Sequence, residues 1–232
     1  MKAWLIGRNA PLWLGLLVPL GAVAVALVVG SDAAEQAKLA ARWTARAAMP
    51  LFLVAYLAST VLRRWPNELT RGLMRHRRQW GFGFALAHTI HLVALGINIT
   101  VFAPRSWQSL IPGAIAYAIL YVMAFTSTNR WQRRLGVWWK RIHRTGMHYL
   151  WFIFTASYAT RAFGNDPEKL AEGWIFGSLL IAALALRLAS RQPPQSDQAT
   201  RRLNSLAASS SFFSRSPIAA NSPARLPISP AT

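Results

Sequence analysis

The 232 residues are 53% hydrophobic and carry a net charge of +19 at pH 7, and none of them is cysteine. The lack of cysteine excludes disulfides, iron–sulfur clusters bound by thiolates, and heme attached covalently through a Cys-x-x-Cys-His motif. The apolar residues form nearly continuous blocks rather than the alternating pattern of a membrane β-barrel strand. This composition predicts a polytopic helical membrane protein.

Six apolar blocks approach or reach the roughly 20 residues that a helix needs to cross a bilayer. In chain order they cover residues 11–30, 47–62, 80–103, 108–127, 145–163 and 173–189. The first block is longer than the usual core of a signal peptide, which favours a retained span. The second and sixth are short and would need tilt or local thinning of the bilayer. The expected fold is all-α, with six transmembrane helices in a bundle over residues 1–190.

The positive charges are distributed unevenly between the two sides of such a bundle. Of the 26 Lys and Arg residues, 20 fall in segments that would share the side of the amino terminus. Because cytoplasmic segments carry excess Lys and Arg, both termini are predicted to be cytoplasmic, in a multi-pass protein of the bacterial inner (cell) membrane. The basic segments would attract anionic membrane lipid. The same distribution accounts for the charge without a nucleic-acid partner, so none is expected.

The composition changes after the sixth block. Residues 191–232 are rich in Ser, Pro, Ala and Arg. Such segments cannot bury enough apolar surface to fold, so this part is predicted to be a disordered cytoplasmic tail.

Four of the five histidines lie in two of the predicted spans. His88 and His91 are three residues apart in the third, and His143 and His148 lie at the start of the fifth, whereas His76 sits in a basic loop. Ionisable residues inside spans mark functional sites by default. Neutral imidazoles from facing helices can fill both axial positions of a b-type heme, an arrangement suited to electron transfer. At about 1.5 Å per residue, depth in the membrane favours His88 with His148 as the ligand pair.

Other readings of these histidines remain open. A non-heme metal site usually adds carboxylates, and all seven acidic residues fall in predicted loops, span ends or the tail. A proton pathway would lack the same groups. The histidines could also form hydrogen bonds between helices in a heme-free membrane anchor subunit, although an anchor would not need them.

Several short motifs match one family of membrane cytochromes. They are TAR at 44–46, RRQWG at 77–81, AFTST at 124–128 and RRLGVWWKRIH at 133–143. Over about residues 10–190 the chain resembles the ferric reductase-like transmembrane domain family. Within that family it is most similar to the MsrQ (YedZ) branch, the heme-binding membrane subunits of periplasmic methionine-sulfoxide reductase systems.

The resemblance implies a b-type cytochrome, an electron-transfer subunit with no catalytic residues of its own. It would relay electrons from a cytoplasmic flavin reductase or quinone to a periplasmic reductase partner. His91 and His143 match the family's heme ligands, whereas Ala156 stands where the family has a second histidine in the fifth span. The count of heme b is therefore one or two, with FMN or quinone as further candidate cofactors. A ferric-chelate reductase is the alternative. Candidate contacts for heme propionates or docking are Arg46, Arg141 and Arg144.

Overall fold

The computed structural model describes residues 7–190, and the described chain is all-helical, as predicted. The predicted tail at 191–232 lies outside the described residues. The helices are α1 (Ala10–Val29), α2 (Ala33–Arg64), α3 (Glu68–Arg75), α4 (Arg77–Ile97), α5 (Trp107–Phe125), α6 (Asn129–Leu135), α7 (Val137–Ala162) and α8 (Pro167–Ala189). A π-helical turn, Asn98–Phe102, continues α4.

Five helical segments are long and apolar enough to cross a membrane, which confirms the membrane class. They are Ala10–Val29, Ala33–Arg64, Arg77–Phe102, Trp107–Phe125 and Lys169–Ala189. Within residues 7–190, α7 does not meet the same standard of length and composition, although it has 26 residues. Its first half carries three basic residues, Lys140, Arg141 and Arg144.

The polar segment expected as a loop between the first two spans is helical instead. Helix α2 has 32 residues. It begins at Ala33 because Asp32 caps its amino terminus by accepting a hydrogen bond from the Glu35 amide at 2.8 Å. The Glu35 carboxylate in turn accepts from the Ser31 hydroxyl at 2.6 Å. The segment is rich in alanine, which has the highest helix propensity, so its polar residues lie along a helix rather than in a loop.

The helices pack as two groups. Helices α1, α2 and α4 pack closely on one another, whereas α8 and α5 both pack on α7. Glycines allow the close approach of α1 and α4: Gly15 lies against the backbone of Gly83, and Gly83 lies against the backbone of Pro11. Small residues have this role in membrane helix packing generally.

Aromatic side chains fill the space between α4 and α7, the two helices that carry the paired histidines. The Phe154 ring of α7 lies 4.9 Å from the Phe52 ring of α2 and 6.1 Å from the Phe84 ring of α4, measured between centroids. Phe52 and Phe84 are completely or almost completely buried. The region between the two helices is therefore rich in aromatic rings, and His88 lies among them.

Candidate functional site

His88 is the most deeply buried of the histidines on α4 and α7. It is 8% exposed, and its Nδ1 atom is buried without a hydrogen-bond partner in the described part of the chain. Its ring is stacked on Tyr117 at 5.2 Å and lies 5.1 Å from Phe84, 5.2 Å from His91 and 5.3 Å from Phe154. An orphaned polar nitrogen in an aromatic interior is costly, and such groups often mark the place of a ligand.

His91 lies one helical turn further along α4 and is held by α2. Its Nδ1 atom is 3.1 Å from the Thr44 hydroxyl oxygen. That hydroxyl also lies 2.7 Å from the carbonyl oxygen of Ala40, one turn earlier in α2. The contact with Thr44 of α2 is made through Nδ1.

His148 of α7 contacts a tyrosine of α2. Its Nδ1 atom is 3.2 Å from the Tyr56 hydroxyl, and the two rings meet edge to face. Arg187 of α8 completes this cluster: its guanidinium lies over the Tyr56 ring at 4.3 Å and donates a hydrogen bond to the Tyr56 carbonyl oxygen. The cluster joins α2, α7 and α8.

His143 is engaged through both ring nitrogens. Its Nδ1 atom is 3.0 Å from the carbonyl oxygen of Trp139, on whose ring it stacks at 4.1 Å. Its Nε2 atom is 3.1 Å from the Met123 carbonyl oxygen and 3.2 Å from the Ser127 hydroxyl. In this arrangement His143 ties the start of α7 to the end of α5. Coordination of a metal through Nε2 would require the release of the contacts with Met123 and Ser127.

The aromatic contacts indicate how far apart His88 and His148 lie along the helix axes. His88 lies beside Phe154, and His148 precedes Phe154 by six residues on α7. At 1.5 Å per residue these six residues span about 9 Å along the helix axis. Ala156 is only two residues beyond Phe154, and so is nearer in level to His88. The pairing of His88 with His148 stays a prediction, as do the ligand roles of His91 and His143.

Arg46, a predicted propionate contact, forms an ion pair in the structure. Its Nη2 atom donates to Glu172 Oε1, and Arg161 lies 3.7 Å from the second oxygen of the same carboxylate. The Glu172 side chain is 17% exposed. Glu172 was expected in a loop but lies in the second turn of α8, so this ion triad joins α2, α7 and α8.

Arg141 and Arg144 lie on the exposed surface near the start of α7. The Arg141 guanidinium is stacked over the Trp138 ring at 4.9 Å. It borders an open groove of about 430 Å³ between α5 and α7. The groove is lined mainly by apolar side chains: Ala118, Ile119, Val122, Trp138, Arg141, Ile142, Thr145 and Gly146.

These residues fit a b-type heme as the donor set. The orphaned Nδ1 atom of His88 and the position of His91 supply imidazoles inside an apolar, aromatic region. No group of three or more His, Cys, Asp and Glu residues lies close enough to hold a metal ion within the described chain. Axial ligation of heme iron needs only two imidazoles, one on each face of the heme. His88 and His91 lie on the same helix with their ring centroids 5.2 Å apart, so a heme held by either would need its second imidazole from another helix.

Sequence reasoning missed four side chains that hold these histidines and arginines in place: Thr44, Tyr56, Glu172 and Arg187. Thr44 belongs to the TAR motif, which was the one available signal. The other three carry no motif. Arg187 reads as a cation at the end of a span, yet it is 8% exposed and packs on α2.

No protein-family model and no solved structure matches the chain. Among curated proteins it is similar to the protein-methionine-sulfoxide reductase heme-binding subunit MsrQ of Yersinia pseudotuberculosis serotype O:1b. The two are 29% identical over 162 residues, which cover 63% of this chain and 78% of the relative. MsrQ of Yersinia pestis strain Pestoides F is also 29% identical, over 63% of this chain and 77% of its own length. The chain is thus a distant homologue of the MsrQ heme-binding subunits.

Proposed function

We propose that the protein is an MsrQ-like heme-binding membrane subunit. It would relay electrons across the inner membrane to a reductase partner on the outer side that repairs oxidised methionine. The observation that carries the proposal is the placement of histidines on two helices that border the aromatic interior, His88 and His91 on α4 and His148 on α7. The distant homology to MsrQ subunits agrees with it.

The proposal includes α7 as a sixth span. Its 26 residues would extend about 39 Å at 1.5 Å per residue, more than the roughly 30 Å of hydrocarbon. It packs against α5 and α8, both of which have the length and composition of spans. Six spans would leave both ends of residues 7–190 on one side. The excess of basic residues between the helices predicts that this side is the cytoplasm.

Different residues would bind the heme and attract the electron donor. Imidazoles from α4 and α7 would hold heme b, a one-electron carrier, so that no catalytic residue is needed. Ligands would be drawn from His88, His91, His143 and His148. Exposed arginines at the start of α7 would attract the propionates of the heme or acidic groups of a flavin reductase donor, with quinone as the other candidate donor.

The test is a reduced-minus-oxidised optical spectrum of the detergent-purified protein, with heme quantified per chain. We expect a b-type α band and one or two hemes per chain. Each of the four histidines is then replaced by alanine. His76→Ala is the matched control, because His76 is a half-buried histidine at the carboxyl end of α3 and lies outside the aromatic interior.

The outcomes separate the alternatives. Loss of heme in His88→Ala or His91→Ala, with full heme in the control, would support the proposal. No heme in the wild-type protein after expression with ample heme supply would contradict it and leave the heme-free anchor. Heme-dependent reduction of ferric chelates without a partner protein would instead favour the ferric-chelate reductase.

A further inference from the structure

We infer that Thr44 is a positioning residue for His91. The Thr44 hydroxyl would hold the imidazole in the tautomer that leaves Nε2 free to bind iron. This inference rests on the proposed function, because it assigns His91 a metal-ligating role. Thr44 lies in α2 and would act on the site through His91 of α4.

The geometry begins with a fully buried threonine. Thr44 has 0% exposure, so its hydroxyl has no access to water and must find its partners within the protein. Its oxygen lies 2.7 Å from the Ala40 carbonyl oxygen, 3.2 Å from the Ala41 carbonyl oxygen and 3.1 Å from His91 Nδ1. The first two contacts are to carbonyls of its own helix, and the third is to a residue 47 positions away.

These distances decide which atom carries the proton between Thr44 and His91. A hydroxyl has one hydrogen to donate and lone pairs to accept. A carbonyl oxygen only accepts, so the contact of 2.7 Å requires that the hydroxyl hydrogen points to Ala40. The hydroxyl oxygen then accepts the hydrogen bond from His91, and Nδ1 must carry a hydrogen. In a neutral imidazole the lone pair is therefore on Nε2.

The other histidines are not constrained in the same way. The contact of His148 is with a tyrosine hydroxyl, which can donate or accept, so the tautomer stays undetermined. His143 meets carbonyl oxygens at both nitrogens, so its Nε2 atom is already engaged. Of His91, His143 and His148, His91 is thus the one whose contacts place the hydrogen on Nδ1 and the lone pair on Nε2. Partners of this kind orient metal-bound histidines and raise their basicity.

Three variants test the inference in the full-length, heme-loaded protein. Thr44→Val removes the hydroxyl and keeps the shape, whereas Thr44→Ser restores a hydroxyl. Thr60→Val is the matched control, because Thr60 is a second threonine of α2 with 0% exposure and its hydroxyl has no hydrogen-bond partner among the described residues. The readouts are heme per chain, the electron paramagnetic resonance signal of the ferric heme, and the reduction potential.

We expect Thr44→Val to change the ferric resonance signal and to raise the reduction potential of one heme. Without an acceptor for its Nδ1–H group, His91 would be a weaker electron-pair donor to the iron. The ferric state would then lose more stability than the ferrous state. Loss of such partners typically changes metal affinity by 10- to 100-fold. A tenfold change in the ratio of the two affinities corresponds to about 59 mV for one electron. Thr44→Ser and Thr60→Val should retain the wild-type values.

The failures are distinguishable. A wild-type protein without heme would refute the proposed function itself. A heme-loaded protein whose spectrum and heme content survive His91→Ala would refute the role of His91 while leaving a cytochrome. If His91→Ala loses heme but Thr44→Val matches Thr60→Val in signal and potential, then Thr44 is a packing residue and this inference alone is wrong.

Discussion

The backbone contact between α1 and α4 can be tested by the substitution Gly83→Ala. A Cβ atom at Gly83 would lie 2.1 Å from the carbonyl oxygen of Pro11, whereas ordinary contacts begin at 3.4 Å. The opposing atom is backbone, so it cannot rotate away. The helices would have to part locally by about 1.3 Å, the difference between these two distances. Overpacking of this kind costs about 1–3 kcal/mol.

Gly81→Ala is the matched control on the same helix. A Cβ atom there would meet nothing within 4 Å among the described residues. Alanine has the better helix propensity, by up to about 1 kcal/mol, so this variant should be at least as stable as the wild type. Because Gly83 lies five residues before His88, the displacement should also lower the heme content of Gly83→Ala but not of Gly81→Ala.

The assay is an unfolding titration in mixed detergent and dodecyl sulfate, followed by circular dichroism, with heme measured in parallel. A free energy of unfolding for Gly83→Ala within about 0.5 kcal/mol of that of Gly81→Ala would refute the reasoning, since this is the range of substitutions that touch nothing. Gly15→Ala offers a second check. Its Cβ atom would lie 2.2 Å from the Gly83 carbonyl oxygen, so the double variant should cost less than the two single costs together.

Two further predictions concern the contacts that join α2 to α7 and α8. Glu172→Gln removes the anion that pairs with two arginines of other helices. In the same titration it should lower the free energy of unfolding by about 2 kcal/mol, between the values for exposed and buried ion pairs. The control Glu68→Gln, at an exposed glutamate, should change the free energy of unfolding by less than about 0.5 kcal/mol, and equal effects of the two variants would contradict the role of the triad. Tyr56→Phe keeps the buried ring but removes the hydroxyl beside His148, and should cost about 1 kcal/mol in that titration, so an unchanged midpoint would show that the contact contributes nothing.

The sequence was sufficient for the class of protein, because hydrophobicity is a local property that a window of about 20 residues reveals. Five of the six predicted spans coincide with helices of the required length and composition. The sequence was wrong for the polar segment before residue 47. There, helix propensity and the Asp32 cap outweighed the polar composition, and α2 extends beyond the apolar block.

The candidate site divides along similar lines. The sequence alone identified the histidines of α4 and α7, because a titratable side chain in an apolar block stands out without any knowledge of its neighbours. It also separated the basic segments from the apolar ones. The ligand roles and pairings of the histidines stay predictions. The depth of each histidine and the direction that its ring faces depend on how α4 and α7 are arranged around the aromatic interior.

Only the tertiary structure decided which side chains support the site. Thr44 meets His91 across 47 residues, Arg46 meets Glu172 across 126, and Arg187 meets Tyr56 across 131. No local pattern encodes such contacts, because each depends on the packing of helices that are far apart in the chain. The amino-acid sequence by itself determined a helical membrane protein with histidines inside it. The packing of α2 against α4 and α8 determined which histidine nitrogens and which charged side chains already have partners.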